Sequence, residues 1–231
     1  MSGSTGALPG REHEAGGEPQ TGSGVSVGRD GGKARVLVVD DHAVVQMGIE
    51  FLLESAEDLE FCGGGSDAAE AHDLIERHAP HIVVVDLMLG QESGLELIKD
   101  IGVRHPDVAT LVYSYAPEAA YAERALRAGA CGYVEKTGDP QPILVALRTV
   151  LDGQLHISSD LAQRMARRLR YFGRAATVTP EDILSDREME VFERIGNACS
   201  PSEIAEQLHL SVKTIGTYRD RIREKLGLAS A

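Results

Sequence analysis

Asp86 closes the apolar run Ile82-Val-Val-Val-Asp86, and a carboxylate at the end of a buried strand stands where open α/β sheets place their chemistry. A second apolar run, Val36 to Val39, ends in the acidic pair Asp40-Asp41. Carboxylates gathered at one sheet edge repel one another and rise in pKa unless a cation sits among them, and hard oxygen donors with room for water suit Mg²⁺. Two further runs lead to a hydroxyl, Ser114, and an ammonium, Lys136. An aspartate nucleophile, a divalent metal, a hydroxyl and a lysine are the parts needed to accept a phosphoryl group and hold it.

These residues meet only if the chain folds as alternating strands and helices. Short apolar runs at Val36–Val39, Leu59–Cys62, Ile82–Val85, Ala109–Val112 and Cys131–Val134 read as strands. Amphipathic stretches near Val44–Leu53, Ala68–Arg77, Leu95–Val103, Pro117–Arg127 and Pro140–Leu151 separate or follow them. Strands alternating with helices imply a doubly wound parallel sheet over residues 34–152, and right-handed crossovers favour the order 2-1-3-4-5. Strands 1 and 3 then bring Asp40, Asp41 and Asp86 to one crevice.

Residues 1–33 are rich in Gly, Ser and Glu with almost no large apolar side chains, so a disordered tail is expected. With 23 Lys and Arg against 36 Asp and Glu, the formal net charge is -13, which argues against a wholly basic nucleic-acid coat or a membrane-surface protein. One locally basic face remains compatible with that balance. Cys62, Cys131 and Cys199 are far apart and form no CxxC pair, so they read as small hydrophobes in a reducing compartment. No apolar stretch approaches the roughly 20 residues of a membrane span, and the start lacks the order of a signal peptide, so a soluble, cytoplasmic protein is expected.

Residues 153–180 read as a linker with an amphipathic basic helix, Ser159 to Phe172, whose Leu161, Met165, Leu169 and Phe172 recur at helical spacing. Residues 181–231 carry three helix starts: Ser185-Asp-Arg-Glu188 and Ser200-Pro-Ser-Glu203 fit the capping box, and Ser211 is a third N-cap. A short second helix and a tight turn before the third are the proportions of a helix-turn-helix. Winding Val212 to Leu226 at about 100° per residue puts Ile215, Ile222 and Leu226 inward and Lys213, Thr217, Asp220, Arg221 and Glu224 outward.

Two resemblances then emerge. Residues 34–152 resemble the receiver domain of two-component response regulators, a flavodoxin-like fold: an acidic pair after strand 1, an acid after strand 3, a Ser after strand 4, and an aromatic, Tyr133, three residues before a lysine. Leu184-Ser-Asp-Arg-Glu188, Glu203-Ile-Ala-Glu206 and Lys213 through Gly227 resemble the LuxR-type helix-turn-helix of the NarL/FixJ regulators. The resemblance implies that Asp86 is phosphorylated by a histidine kinase, with Mg²⁺ held by Asp41, Asp86 and the Met88 carbonyl directly and by Asp40 through water. It implies that Lys136 pairs with the new charge and that Ser114 then moves inward, vacating space for the switch residue Tyr133. It implies that the receiver occludes the recognition helix until phosphorylation releases it and favours homodimers on promoter DNA. Gly216, Thr217 and Asp220 would face bases, and Lys213, Thr214, Tyr218 and Arg221 phosphates.

Where the family has Met-Pro this chain has Leu89-Gly90, and that glycine is expected to free the loop that carries Met88. Met88 and Ala116 stand at positions that tune phosphoryl loss and cannot orient a water, so slow self-dephosphorylation is expected. The chain is not expected to be an enzyme: an aspartate-nucleophile phosphatase needs a second acid where Met88 stands. A phosphorylation-independent regulator, using the receiver only for protein interaction, is the alternative.

Overall fold

The computed structural model describes residues 32–90, 92–137, 140–170, 180–208 and 210–228, with the side chains of 168–170, 181 and 182 outside that description. The tail, apart from Gly32 and Lys33, and Phe172 of the linker thus lie outside the described residues.

Five strands, β1 (Ala34–Val39), β2 (Leu59–Gly65), β3 (Ile82–Val85), β6 (Ala109–Ser114) and β7 (Gly132–Glu135), form a parallel sheet in the order β2-β1-β3-β6-β7. This is the order 2-1-3-4-5 expected for the strands counted along the sheet. A short antiparallel pair, β4 (Met88–Leu89) and β5 (Glu92–Ser93), follows β3 and has no counterpart in the sequence pattern. β6 runs on through Ser114, so the hydroxyl is the last residue of a strand instead of the first of a loop.

The two-residue period of a strand divides the core. Leu37, Val39, Val83 and Val85 point to the face covered by α2 (Ala68–His78), α3 (Gly94–Arg104) and α4 (Glu118–Ala128). Val36, Val38, Ile82 and Val84 point to the opposite face, covered by α1 (Ala43–Glu54) and α5 (Pro142–Leu151). All four side chains of β3 are buried, as a central strand sandwiched between helices demands.

Beyond the sheet, α6 (Ser159–Arg170) lies against α4 and buries Leu161, and its first turn is tied down where the Ser158 amide donates to Glu118 Oε1 at 2.8 Å. α7 (Pro180–Ile183), α8 (Asp186–Gly196), α9 (Pro201–Gln207) and α10 (Val212–Leu226) complete the chain. Ser185 with Glu188 and Ser200 with Glu203 form both expected capping boxes, and Ser211 accepts from the Thr214 amide. Met189, Val191, Ile204, Ile215 and Ile222 make the small helical core, which is continuous with the α3–α4 side of the receiver core.

Candidate functional site

The C-terminal edge of the sheet collects the ends of β1, β3, β6 and β7, and with them Asp40, Asp86, Ser114 and Lys136, all buried. Lys136 Nζ donates to Asp40 Oδ2 and to Asp86 Oδ2, each at 2.5 Å. Ser114 Oγ donates to the other oxygen, Asp86 Oδ1, at 2.7 Å, and the Met88 amide approaches the same atom at 3.2 Å. Burial works against the Lys136 charge, but Asp86 and Asp40 outweigh it and hold the ammonium above the ordinary lysine range. Burial also pushes the Asp40 carboxyl up, against the pull of Lys136. The rings of Tyr113 and Tyr115 flank the ammonium at 5.7 and 5.3 Å, within cation–π reach.

Asp41 is more exposed and faces the mouth of the site. Its Oδ1 meets His42 Nδ1 at 2.7 Å and its Oδ2 accepts from the Gly90 amide at 3.1 Å. Asp40, Asp41, His42 and Asp86 each place a ligand atom within 4.8 Å of the others. His42 was not singled out from the sequence, although its place directly after the acidic pair was the available signal. The mainly oxygen donor set, half of it at the solvent edge, fits a hard divalent cation that keeps waters.

One expectation about this site is corrected. Gly90 does not free its loop: it adopts φ 55°, a left-handed backbone that proline cannot take, and spends its N–H on Asp41, a bond proline cannot make. Ser114 stands inward, with its hydroxyl on Asp86. Tyr133 is likewise buried, and its hydroxyl donates to the Ala116 carbonyl at 2.7 Å. Gly94, at the start of α3, is required by packing, because a Cβ there would stand 2.0 Å from the Asp86 carbonyl oxygen.

On α10, Lys213, Thr217, Asp220, Arg221 and Glu224 are exposed on the outward face, as the helical winding requires. Thr214 and Gly216 are half-exposed, whereas Tyr218 leans on the helical core. Asp220 is neutralised locally by Arg223 at 2.6 Å, and Lys225 is drawn back to Glu188 at 2.6 Å, so Lys213 and Arg221 carry the outward positive charge.

The receiver does not occlude this face. It grips the other side of the helical domain: Arg124 of α4 pairs with Asp186, its Nη2 donates to the Leu184 carbonyl at 2.8 Å, and Tyr121 hydrogen-bonds Glu193. Between the two parts lies a cavity of about 490 Å³, walled by Met88, Ala116 and Tyr121 on one side and Arg194, Asn197 and Gln207 on the other. Arg124 Nη1 is buried without a hydrogen-bond partner among the described residues.

A parallel sheet with buried acids, a hydroxyl and a lysine at one edge, joined to a capped helix-turn-helix, defines a signalling receiver attached to a DNA-binding unit. Residues 36–148 match the response regulator receiver domain, and residues 182–231 match the LuxR family of bacterial regulatory proteins. The chain belongs to the NarL/FixJ family of two-component response regulators and is a DNA-binding transcriptional regulator.

It is 34% identical over 196 residues to the response regulator GacA of Pseudomonas viridiflava, covering 85% of this chain and 91% of that one. It is 34% identical over 193 residues to UvrY of Escherichia coli K12, covering 84% and 88%. Among solved structures it resembles RcsB of Salmonella enterica serovar Typhimurium bound to promoter rprA with the phosphomimetic BeF3-, with TM-score 0.56, 25% identity and 86% and 95% coverage. A LuxR-family response regulator from Aurantimonas sp. SI85-9A1 matches at 33% identity and TM-score 0.55 over 60% of this chain and 99% of that one. No helix among the described residues is long and apolar enough to cross a membrane.

Proposed function

We propose that the chain is switched, in the cytoplasm, by phosphoryl transfer from a sensor histidine kinase to Asp86. The observation that carries this reading is the pairing of both Asp86 oxygens, Oδ1 with Ser114 and Oδ2 with Lys136, beside Asp40 and Asp41. A carboxylate oxygen of Asp86 attacks phosphorus as the N–P bond of the kinase phosphohistidine breaks and its electron pair returns to the imidazole. Lys136 and Ser114 are placed to follow the charge onto the phosphoryl oxygens. Asp41, Asp86 and the Met88 carbonyl would hold Mg²⁺, with Asp40 reached through water; when bound, the ion screens the approach of one anion to another.

The consequence passes through Ser114 and Ala116. The Ala116 amide donates to Ser114 Oγ at 3.3 Å and its carbonyl holds Tyr133, so this loop feels any shift of Ser114. Ala116 and Tyr121 also wall the interdomain cavity, so a loop shift bears on the Arg124 grip. Because α10 is already exposed, phosphorylation acts by releasing the helical domain to pair with a second copy on promoter DNA. RcsB, a relative, is known as dimers bound to DNA.

The test is the intact mass of the wild type and of Asp86→Asn after incubation with a small acyl phosphate and Mg²⁺. One added phosphoryl group in the wild type alone, followed by tighter binding to a two-half-site duplex, is expected. Equal gain of DNA affinity in Asp86→Asn overturns the reading.

A further inference from the structure

On the sheet face covered by α2, α3 and α4, the first two of these helices bring two histidines together. His72 is buried in the second turn of α2, and His105 ends α3; their Nδ1 and Nε2 atoms stand 3.4 Å apart, with ring centroids 5.6 Å apart and planes tilted by 33°. Nitrogen-to-acceptor hydrogen bonds cluster near 2.9–3.0 Å, so this pair is too far apart for a good one. Two imidazole nitrogens bound at about 2.0–2.1 Å to one tetrahedral ion stand about 3.3 Å apart. The observed separation matches that edge.

The surroundings supply further donors. Glu76 follows His72 by one helical turn on the same face of α2, and its exposed side chain rests 3.7 Å from Arg104. Asp100 also acts electrostatically on His72. Burial and the neighbouring Arg104 hold His72 below the ordinary histidine range, so its imidazole is neutral at pH 7 and has a lone pair to give. This cluster shares no residue with Asp40, Asp41, His42 and Asp86.

We propose that His72 and His105 bind a borderline divalent transition ion such as Zn²⁺, with Glu76 exchanging Arg104 for the metal and water completing four-coordination. Imidazole nitrogens select such an ion over Mg²⁺, whose preferred ligands are oxygens. The ion would fasten α2 to α3, helices otherwise joined by side-chain packing and the Glu76–Arg104 pair, and so stiffen the sheet face that also carries Lys99 and Arg124 toward Asp186.

The experiment is titration of the full chain with Zn²⁺, and with Co²⁺ for its tetrahedral absorption bands, in excess Mg²⁺ that keeps the acidic site filled. Wild type, His105→Ala, Glu76→Gln and His42→Ala are compared, and a cooperative thermal melt confirms that each variant is folded. Expected is one Zn²⁺ per wild-type chain, affinity at least tenfold weaker in His105→Ala, several-fold weaker in Glu76→Gln, and unchanged in His42→Ala. No uptake above the Mg²⁺ background, equal uptake by His105→Ala, or loss in His42→Ala instead overturns the assignment.

Discussion

Arg124 of α4 and Asp186, the first residue of α8, form an ion pair that ties the receiver to the DNA-binding domain, and the same guanidinium holds the Leu184 carbonyl. Asp186 is thus read twice, as an acid suited to a helix N-terminus and as the receiver's handle on that helix.

Arg124→Ala should therefore loosen the domains without unfolding either. A charged hydrogen bond contributes about 1.5–3 kcal/mol, enough to shift docking by roughly ten- to a hundredfold. Small-angle scattering should show a larger radius of gyration for unphosphorylated Arg124→Ala than for wild type; an unchanged radius would show that the apolar contacts suffice.

Lys136→Met strands Asp40 and Asp86 beside each other in a buried site. Removing one partner of a buried ion pair destabilises by about 3–5 kcal/mol, so the thermal midpoint should fall, and millimolar Mg²⁺ should recover part of the loss by replacing the missing charge. A fall that Mg²⁺ does not touch would argue against a shared cation site.

Gly90→Pro restores the residue the family usually has at this place, yet it should harm this chain. The φ of 55° excludes proline, and the amide bond to Asp41 disappears. Lower thermal stability and weaker Mg²⁺ binding are expected by calorimetry; a neutral or stabilising effect would mean that the loop readily adopts another path.

Acid should weaken the receiver near pH 6. Burial holds His72, His81 and His156 below the ordinary histidine pKa of 6.5, and His81 Nδ1 must be unprotonated to accept the Arg35 amide at 2.9 Å. With folded pKa values depressed, the unfolded chain binds protons first, so this stability is present above about pH 6.5 and is lost as pH falls through the folded values. Melting at pH 7.5 and 5.5 should show the drop, and His81→Ala should shrink its size while lowering stability at pH 7.5.

On α10, Lys213→Ala and Arg221→Ala should each weaken binding about equally on all sequences and reduce the salt slope by about one. Lys225→Ala should act differently. Its ammonium holds Glu188, whose carboxyl stays below the ordinary range despite burial, so its loss should lower helical-domain stability more than the salt slope. Fluorescence anisotropy across a salt series separates the two cases.

Much of this protein was legible in its residues. The strand order, the buried β3, the acids at the sheet edge and both capping boxes follow from local rules: a two-residue period, a helical period and side chains that satisfy nearby amides. The convergence of Asp40, Asp86, Ser114 and Lys136 followed once the topology was fixed, because each ends its own strand. Other features depend on atoms far apart in the chain. No local pattern could show that Gly90 gives its N–H to Asp41, that His72 meets His105, or that Arg124 seizes Asp186, since each pairing depends on how packed helices and loops happen to abut. Exposure of α10 is of that kind as well. The sequence determined which face of the helix could read DNA; only the tertiary contact, made through α8, decided that the receiver leaves that face open.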